Sequence, residues 1–249
     1  MVRKTCFTPA VDGWIELASA HTGTGDLLVL RERAGIVELR CNGWELMSNR
    51  AHRSEEALAE AALAAVACRE VPCGRSSPPL PGAIAPRVLI GGLGFGYTLR
   101  AALNRLPRTA RVVVAELLPE IIAWNHGVLA LLAGNPVADP RVSVTCTDIL
   151  SLLHATEPAS FDVILLDTDN GPDSVMLPGN SALYGPAGLR LIRHALDPDG
   201  TLAVWSADRS PRFEHTLHDA GFRWYALDVP ARGAPDDPLH TIYLGRNVA

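Results

Sequence analysis

From Arg87 onward the chain alternates short, continuously apolar runs with stretches whose apolar positions recur at helical spacing. The runs fall near 87–91, 111–116, 141–145, 161–167 and 201–206, and the helical stretches near 97–106, 119–132, 183–196 and 210–220. Apolar runs without polar alternation suit strands covered on both faces. The pattern therefore predicts an α/β fold, a Rossmann-like doubly wound and mostly parallel sheet with helices on either side. Pro119 suits a first helical position, and Asp199-Gly200 predicts the turn into the fifth strand. A last pair of strand-like segments, near 223–229 and 239–245, predicts an antiparallel hairpin at one sheet edge.

The first 50 residues follow a different rhythm. Leu27 to Arg31, Ile36 to Cys41 and Trp44 to Met47 are short strand-like runs separated by Ala34-Gly35 and Asn42-Gly43. Asn-Gly between two such runs predicts a tight hairpin. Ser54-Glu55-Glu56 then opens a helix to about Arg69, with Ser54 suited to cap it and the two acids suited to its first turn. Residues 71–86, with five prolines and two glycines, read as a linker or lid. Three pieces result: a small N-terminal β-hairpin or meander domain with its helix over 1–70, the proline-rich segment over 71–86, and a nucleotide-binding domain over 87–249.

In a doubly wound sheet, ligands bind beyond the carboxyl ends of the strands, and five groups of residues fall there. Gly91, Gly92, Gly94 and Gly96 form a glycine-rich first strand-to-helix turn, which lets backbone approach a ligand closely. Glu116 ends the second apolar strand where a ribose-binding carboxylate is expected, held off the next helix by Leu117-Leu118-Pro119. Asp148 follows the third strand and suits either an adenine amino group or the cap of a helix beginning at Ile149. Asp167, Asp169 and Asn170 crowd the end of the fourth strand, where polar side chains could hold an amine, orient a nucleophile or take a proton. His52 stands at the joint of the β piece and its helix, with an intrinsic pKa suited to proton exchange. Trp44, Trp124 and Trp205 read as packing residues.

Composition narrows the picture. The net charge is −5 and no lysine-rich run occurs, so a nucleic-acid partner is not expected. The five cysteines are scattered, and Cys68 and Cys73 have no second pair at ligand spacing, so no metal is expected. Without a run of about 18 apolar residues, no membrane association is expected, and the chain reads as soluble and cytoplasmic with reduced thiols.

The motifs together resemble the spermidine/spermine synthases, the polyamine aminopropyltransferases, which carry the class I S-adenosylmethionine-dependent methyltransferase fold. The resemblance runs through the glycine turn, Val112 to Ile122, Asp139 to Leu153, Phe161 to Pro172 and Leu183 to Trp205. It implies ribose binding by Glu116, adenine binding by Asp148, a place for Asp167 beside the attacked carbon, and a homodimer or tetramer. The chain departs from the family at four places. Leu93-Gly94-Phe95 stands where the family's glycine turn carries an aspartate that holds the donor amine. Leu46 or Met47 replaces a hairpin glutamine that touches the donor. His52, Glu55 and Glu56 only loosely echo the acids and histidine of the family's helix start, and the loop after Asp167 differs in spacing by one residue.

Three functions follow. The first is methyl transfer from S-adenosylmethionine to a small amine or hydroxyl acceptor, with Asp167 or Asp169 orienting the acceptor, His52 assisting, and Asn170, Glu55 and Glu56 as substrate-binding candidates. The second is aminopropyl transfer from decarboxylated S-adenosylmethionine to a diamine. The third is a non-catalytic nucleotide-binding protein.

Overall fold

The computed structural model describes residues 13–70, 85–168, 170–173 and 181–248. Strands β1 (Ile15–His21), β2 (Leu27–Arg33), β3 (Ile36–Cys41) and β4 (Trp44–Ser48) form an antiparallel meander in chain order. The β2–β3 and β3–β4 turns place Ala34-Gly35 and Asn42-Gly43 at positive φ (51° and 81°, 49° and 86°), the backbone of a primed hairpin turn. β1 is absent from the runs read in the sequence. Its apolar residues do not alternate cleanly, and a register shift between Glu16 and Ala18 breaks its pairing.

Helix α1 (Arg53–Glu70) follows, beginning one residue before Ser54, whose hydroxyl bonds elsewhere. The 71–86 segment lies outside the described residues up to 84. The second sheet then builds from β5 (Arg87–Gly91), β6 (Arg111–Glu116), β7 (Val142–Cys146), β8 (Phe161–Leu166), β9 (Leu196–Ser206), β10 (Phe222–Pro230) and β11 (Leu239–Asn247). Its spatial order is β10-β11-β9-β8-β5-β6-β7, with β5, β6, β7, β8 and β9 parallel and the β10–β11 hairpin antiparallel at the edge. The order reverses between β5 and β8, which opens a crevice beyond their carboxyl ends.

Helices α2 (Tyr97–Arg105), α3 (Pro119–Asn125), α4 (Ile149–His154), α5 (Pro186–Ala195) and α6 (Pro211–Asp219) complete the layers. Val88, Ile90, Val163, Leu165 and Ala203 face one way, into a core shared with α1, α2 and the N-terminal sheet through Leu28, Leu30 and Leu39. Leu89, Ile164, Leu166, Leu202 and Val204 face the other way, onto Leu153, Ile192 and Phe213 of α4, α5 and α6. Both faces of the central strands are thus covered, which explains their unbroken apolar runs.

Two expected boundaries move. The helix expected over 119–132 stops at Asn125, and turns follow through Gly127 to Gly134, where Gly134 and Asn135 take positive φ. Two glycines in that short stretch break helical continuity, and Arg100 of α2 anchors it by donating to the carbonyls of Ala133 and Gly134. β9 begins at Leu196, directly after α5, instead of after Asp199-Gly200. Asp199 lies within it at φ 70°, and the register against β8 shifts between Phe161 and Val163.

Candidate active site

The crevice is a cleft of about 470 Å³ between the N-terminal sheet and the carboxyl ends of β5, β6, β7 and β8. Its wall includes Leu28, Leu39, Leu46 and Met47 from the meander, Gly92 and Gly94 from the first turn, and Glu116, Asp148 and Asp167 from successive strand ends. A mostly apolar cavity of this size with a few convergent polar groups is the usual form of a small-molecule site.

The first turn has its shape for steric reasons. Gly92 sits at φ 89°, and a Cβ there would lie 2.1 Å from the Asp167 carbonyl oxygen. Gly92 N–H donates to Ala115 O and Asp167 N–H to Gly91 O, so the turn is stitched to β6 and to the β8 loop. Asn125 of α3 holds the far side, donating its amide to the Gly94 carbonyl at 2.9 Å while 1% exposed. No motif singled out Asn125, because a lone asparagine within a helix carries no signal of its distant partner. Gly91 and Gly96 are buried within the turn, whereas Gly92 and Gly94 reach the cleft wall.

Glu116 is 8% exposed. One carboxylate oxygen accepts from Leu93 N–H and the other from Leu118 N–H, both at 2.9 Å. Burial pushes its pKa up, and the surrounding backbone donors (Leu118, Leu93, Gly94, Leu117) partly offset that. This backbone cradle fixes the carboxylate at the cleft wall. Asp148 caps α4, accepting from Ser151 N–H and Ser151 Oγ at 3.0 Å, and also lines the cleft. The capping reading is therefore met, and the residue stands at the cleft wall as well.

The acids concentrate on the floor. Asp167 accepts from Thr98 Oγ1 at 2.5 Å, and burial raises its pKa to about 6 against the pull of that hydrogen bond. Glu55, in the first turn of α1, lines the same cleft. Burial, then the charges of Asp167 and Glu56, hold its pKa well above the usual carboxylate range. Among the described residues no ion pair reaches either acid, and the charge of Asp167 acts on Glu55 across the floor. Thr98, 2% exposed, ties them together: its hydroxyl donates to Asp167 and stands 3.4 Å from the Glu55 carbonyl. Asn170 lines the cleft as well, and the loop is held there by Ala207 N–H donating to Asn170 O and by Tyr184 OH donating to Thr168 O. Asp169 lies outside the described residues.

Two further candidates, His52 and Glu56, stand outside the cleft lining. His52 stacks on Tyr97, centroids 4.2 Å apart, with Nδ1 3.0 Å from Asn49 O and Nε2 3.7 Å from Glu56. Burial and the charges of Glu55 and Glu56 push the Tyr97 hydroxyl up to about 12. Glu56 turns into a larger, more open depression of about 630 Å³ between α1 and α2. There Glu60 pairs with Arg53 and Arg105. That surface lacks the glycine turn and the strand-end acids, which line the smaller cleft. Trp44, expected to pack, is 78% exposed at the cleft rim; it lies in the β3–β4 hairpin, where no opposing layer covers it. Trp124 and Trp205 do pack against the main core, and Trp205 also reaches the cleft. Among the described residues there is no cluster able to hold a metal ion, and no helix is long and apolar enough to cross a membrane.

This sheet order, with a nucleotide-type turn at its reversal and an acid after each of the next strands, defines an α/β protein with the methyltransferase fold. No family model matches the chain. It is 36% identical to polyamine aminopropyltransferase 2 of Streptomyces coelicolor over 163 residues, 61% of this chain and 28% of that protein. It is 31% identical to polyamine aminopropyltransferase of Mycobacterium tuberculosis over 159 residues, 60% of this chain and 29% of that protein. The chain therefore spans under a third of the length of the curated relatives it matches. Spermidine synthase from Thermotoga maritima superposes with a TM-score of 0.68 over 98% of this chain and 80% of its own, at 15% identity. A Burkholderia thailandensis N1-methyltransferase superposes with a TM-score of 0.52 over 80% of each chain, at 16% identity. Over about three fifths of its length the chain is thus similar in sequence to polyamine aminopropyltransferases, and its fold is that of spermidine synthases.

Proposed function

We propose that the cleft aligns an adenosyl-sulfonium donor with a small amine and transfers an aminopropyl group between them. The names of the sequence relatives, polyamine aminopropyltransferases, favour this over methyl transfer. The observation that carries it is the Glu55–Asp167 pair. Two acids sharing one partly desolvated floor repel each other, and a bound ammonium group relieves that repulsion. A diamine brings such a charge together with a nucleophilic nitrogen.

Glu116 and the glycine turn fit the adenosine half of the donor, with the carboxylate at the cleft wall and no Cβ at Gly92 or Gly94. Asp148 and Ile149 fit the base end. When bound, the donor supplies an electrophilic carbon: a nitrogen–carbon bond forms, the carbon–sulfur bond breaks, and its electron pair returns to sulfur as a thioether. The protein's part is alignment and proton transfer. Asp167, with a pKa near 6, takes the proton that the attacking nitrogen loses, and Glu55 holds the cationic end of the acceptor. Thr98 keeps Asp167 in place.

One observation favours the methyl-transfer reading. The glycine turn carries no acid for a donor amine, and the Met47 Cε lies 3.2 Å from where a Gly94 Cβ would stand, so that flank is apolar. Incubation with each donor and a short diamine, followed by mass spectrometry, separates the two. Methylthioadenosine formed from the decarboxylated donor supports aminopropyl transfer. S-adenosylhomocysteine formed from S-adenosylmethionine, with no methylthioadenosine, overturns it.

A further inference from the structure

Directly behind Glu55 lies a hydrogen-bonded unit outside the cleft chemistry described above. Ser54, 0% exposed, places its Oγ 3.0 Å from Trp205 Nε1 and 2.8 Å from His240 Nδ1. The His240 ring also meets the Trp205 ring edge-on, centroids 4.7 Å apart. An indole N–H can only donate, so Ser54 Oγ accepts from Trp205; its own proton, buried and with no other acceptor beside it among the described residues, goes to His240. His240 Nδ1 is therefore the acceptor, and the proton of the neutral ring sits on Nε2. Burial, which disfavours the charged imidazolium, supports that state, against a smaller opposing pull from Asp208.

The consequence follows from helix geometry. Successive helical residues are rotated by about 100° around the axis. Pinning Ser54 to β9 through Trp205 and to β11 through His240 therefore sets the direction in which the next residue, Glu55, projects. It projects into the cleft beside Asp167. The antiparallel edge hairpin, far along the chain and outside the nucleotide-binding strands, thereby takes part in shaping the floor.

We propose that His240 is a positioning residue: by accepting the Ser54 hydroxyl it fixes the rotation of α1 and holds Glu55 facing Asp167. The inference rests on the amine-binding reading of that pair for its kinetic consequence and on geometry alone for the rest. The test uses His240→Ala, His240→Asn and Ser54→Ala in the full chain. Asparagine places an amide oxygen close to where Nδ1 stands, so it restores the acceptor without the ring. Two readouts are taken: KM for the amine and for the donor, and the joint titration of Glu55 and Asp167 by carboxyl carbon NMR.

In His240→Ala and Ser54→Ala we expect the amine KM to rise about tenfold or more, with the donor KM within about twofold, a split that follows from losing one oriented polar contact. The Glu55 titration should fall toward the ordinary carboxylate range in both variants and return in His240→Asn. Folded Ala variants with an unchanged Glu55 titration overturn the proposal, as does an Asn variant no better than Ala. If the wild type turns over no amine but the titration still collapses in the Ala variants and returns with Asn, the positioning role stands and the aminopropyl reading falls. Should His240→Ala not fold, Ser54→Ala carries the same test, since alanine is a good helix former that removes only the hydroxyl.

Discussion

At the scale of single residues, the site is an electrostatic problem with one backbone turn that only glycine fits beneath it. Asp167→Asn removes the proposed proton acceptor and should lower amine turnover by about 10²–10⁴-fold while donor-nucleoside binding persists, measured by steady-state kinetics and calorimetry. Equal activity in Asp167→Asn would show that proton transfer lies elsewhere. The same acid makes stability depend on pH. Its pKa rises from 3.8 to about 6 on folding, so the folded chain holds more protons than the unfolded chain between those values. Stability from this group is complete below about pH 4, falls as pH rises to about 6, and stays lost above that. Denaturant titrations of wild type and Asp167→Asn across that window should converge at low pH and diverge near neutrality, with the variant the more stable. At Gly92 the constraint is steric. Alanine there would need positive φ and would place Cβ 2.1 Å from the Asp167 carbonyl oxygen, so Gly92→Ala should cost roughly 2–4 kcal/mol in chemical unfolding.

At the scale of elements, the sequence reads well where pattern and local chemistry agree. β5, β6 and β8, and the Asn-Gly hairpin, were legible because burial on both faces and positive φ leave direct marks in residue type, whereas β7, at the sheet edge, showed as an alternating Val-Ser-Val-Thr run. β1 left no such mark because a bulge disrupts its alternation. α3 ran shorter than its apolar content suggests, since Asn125 ends it by turning to the Gly94 carbonyl and glycines follow. Asp148 shows one residue serving two ends: it caps α4 and faces the cleft. Serine also caps helices well, so Asp148→Ser should keep thermal stability, whereas Asp148→Ala should lose about 1 kcal/mol. Both should weaken nucleoside binding if the carboxylate meets the base. Unchanged affinity in both would reduce Asp148 to a cap.

Across the whole molecule, two sheets close on one cleft, and their cores are continuous through Leu28, Leu39, Val88 and Leu93. A ligand that bridges the meander and the strand ends should therefore stabilise the entire unit. With methylthioadenosine at about 100 times its dissociation constant, linkage gives about 2.7 kcal/mol of added stability, readable as a rise in Tm. Glu116→Ala should abolish most of that rise. A full rise in this variant would place the nucleoside elsewhere.

The sequence by itself determined the α/β class, the glycine turn, and the strand-end acids Glu116, Asp148 and Asp167. Each of these follows from local chemistry: burial on two faces, positive φ, and a polar residue ending an apolar strand. Only the tertiary structure decided which polar residues meet. It put Glu55 opposite Asp167 on the cleft floor and His52 behind Tyr97, and it sent Glu56 to another surface. It brought Thr98, Asn125 and His240 to the first turn and to α1 from 31 to 186 residues away. Those placements depend on how helices rotate and dock against a sheet. Helical spacing marks which face is apolar, but it does not name the distant residue that face will touch.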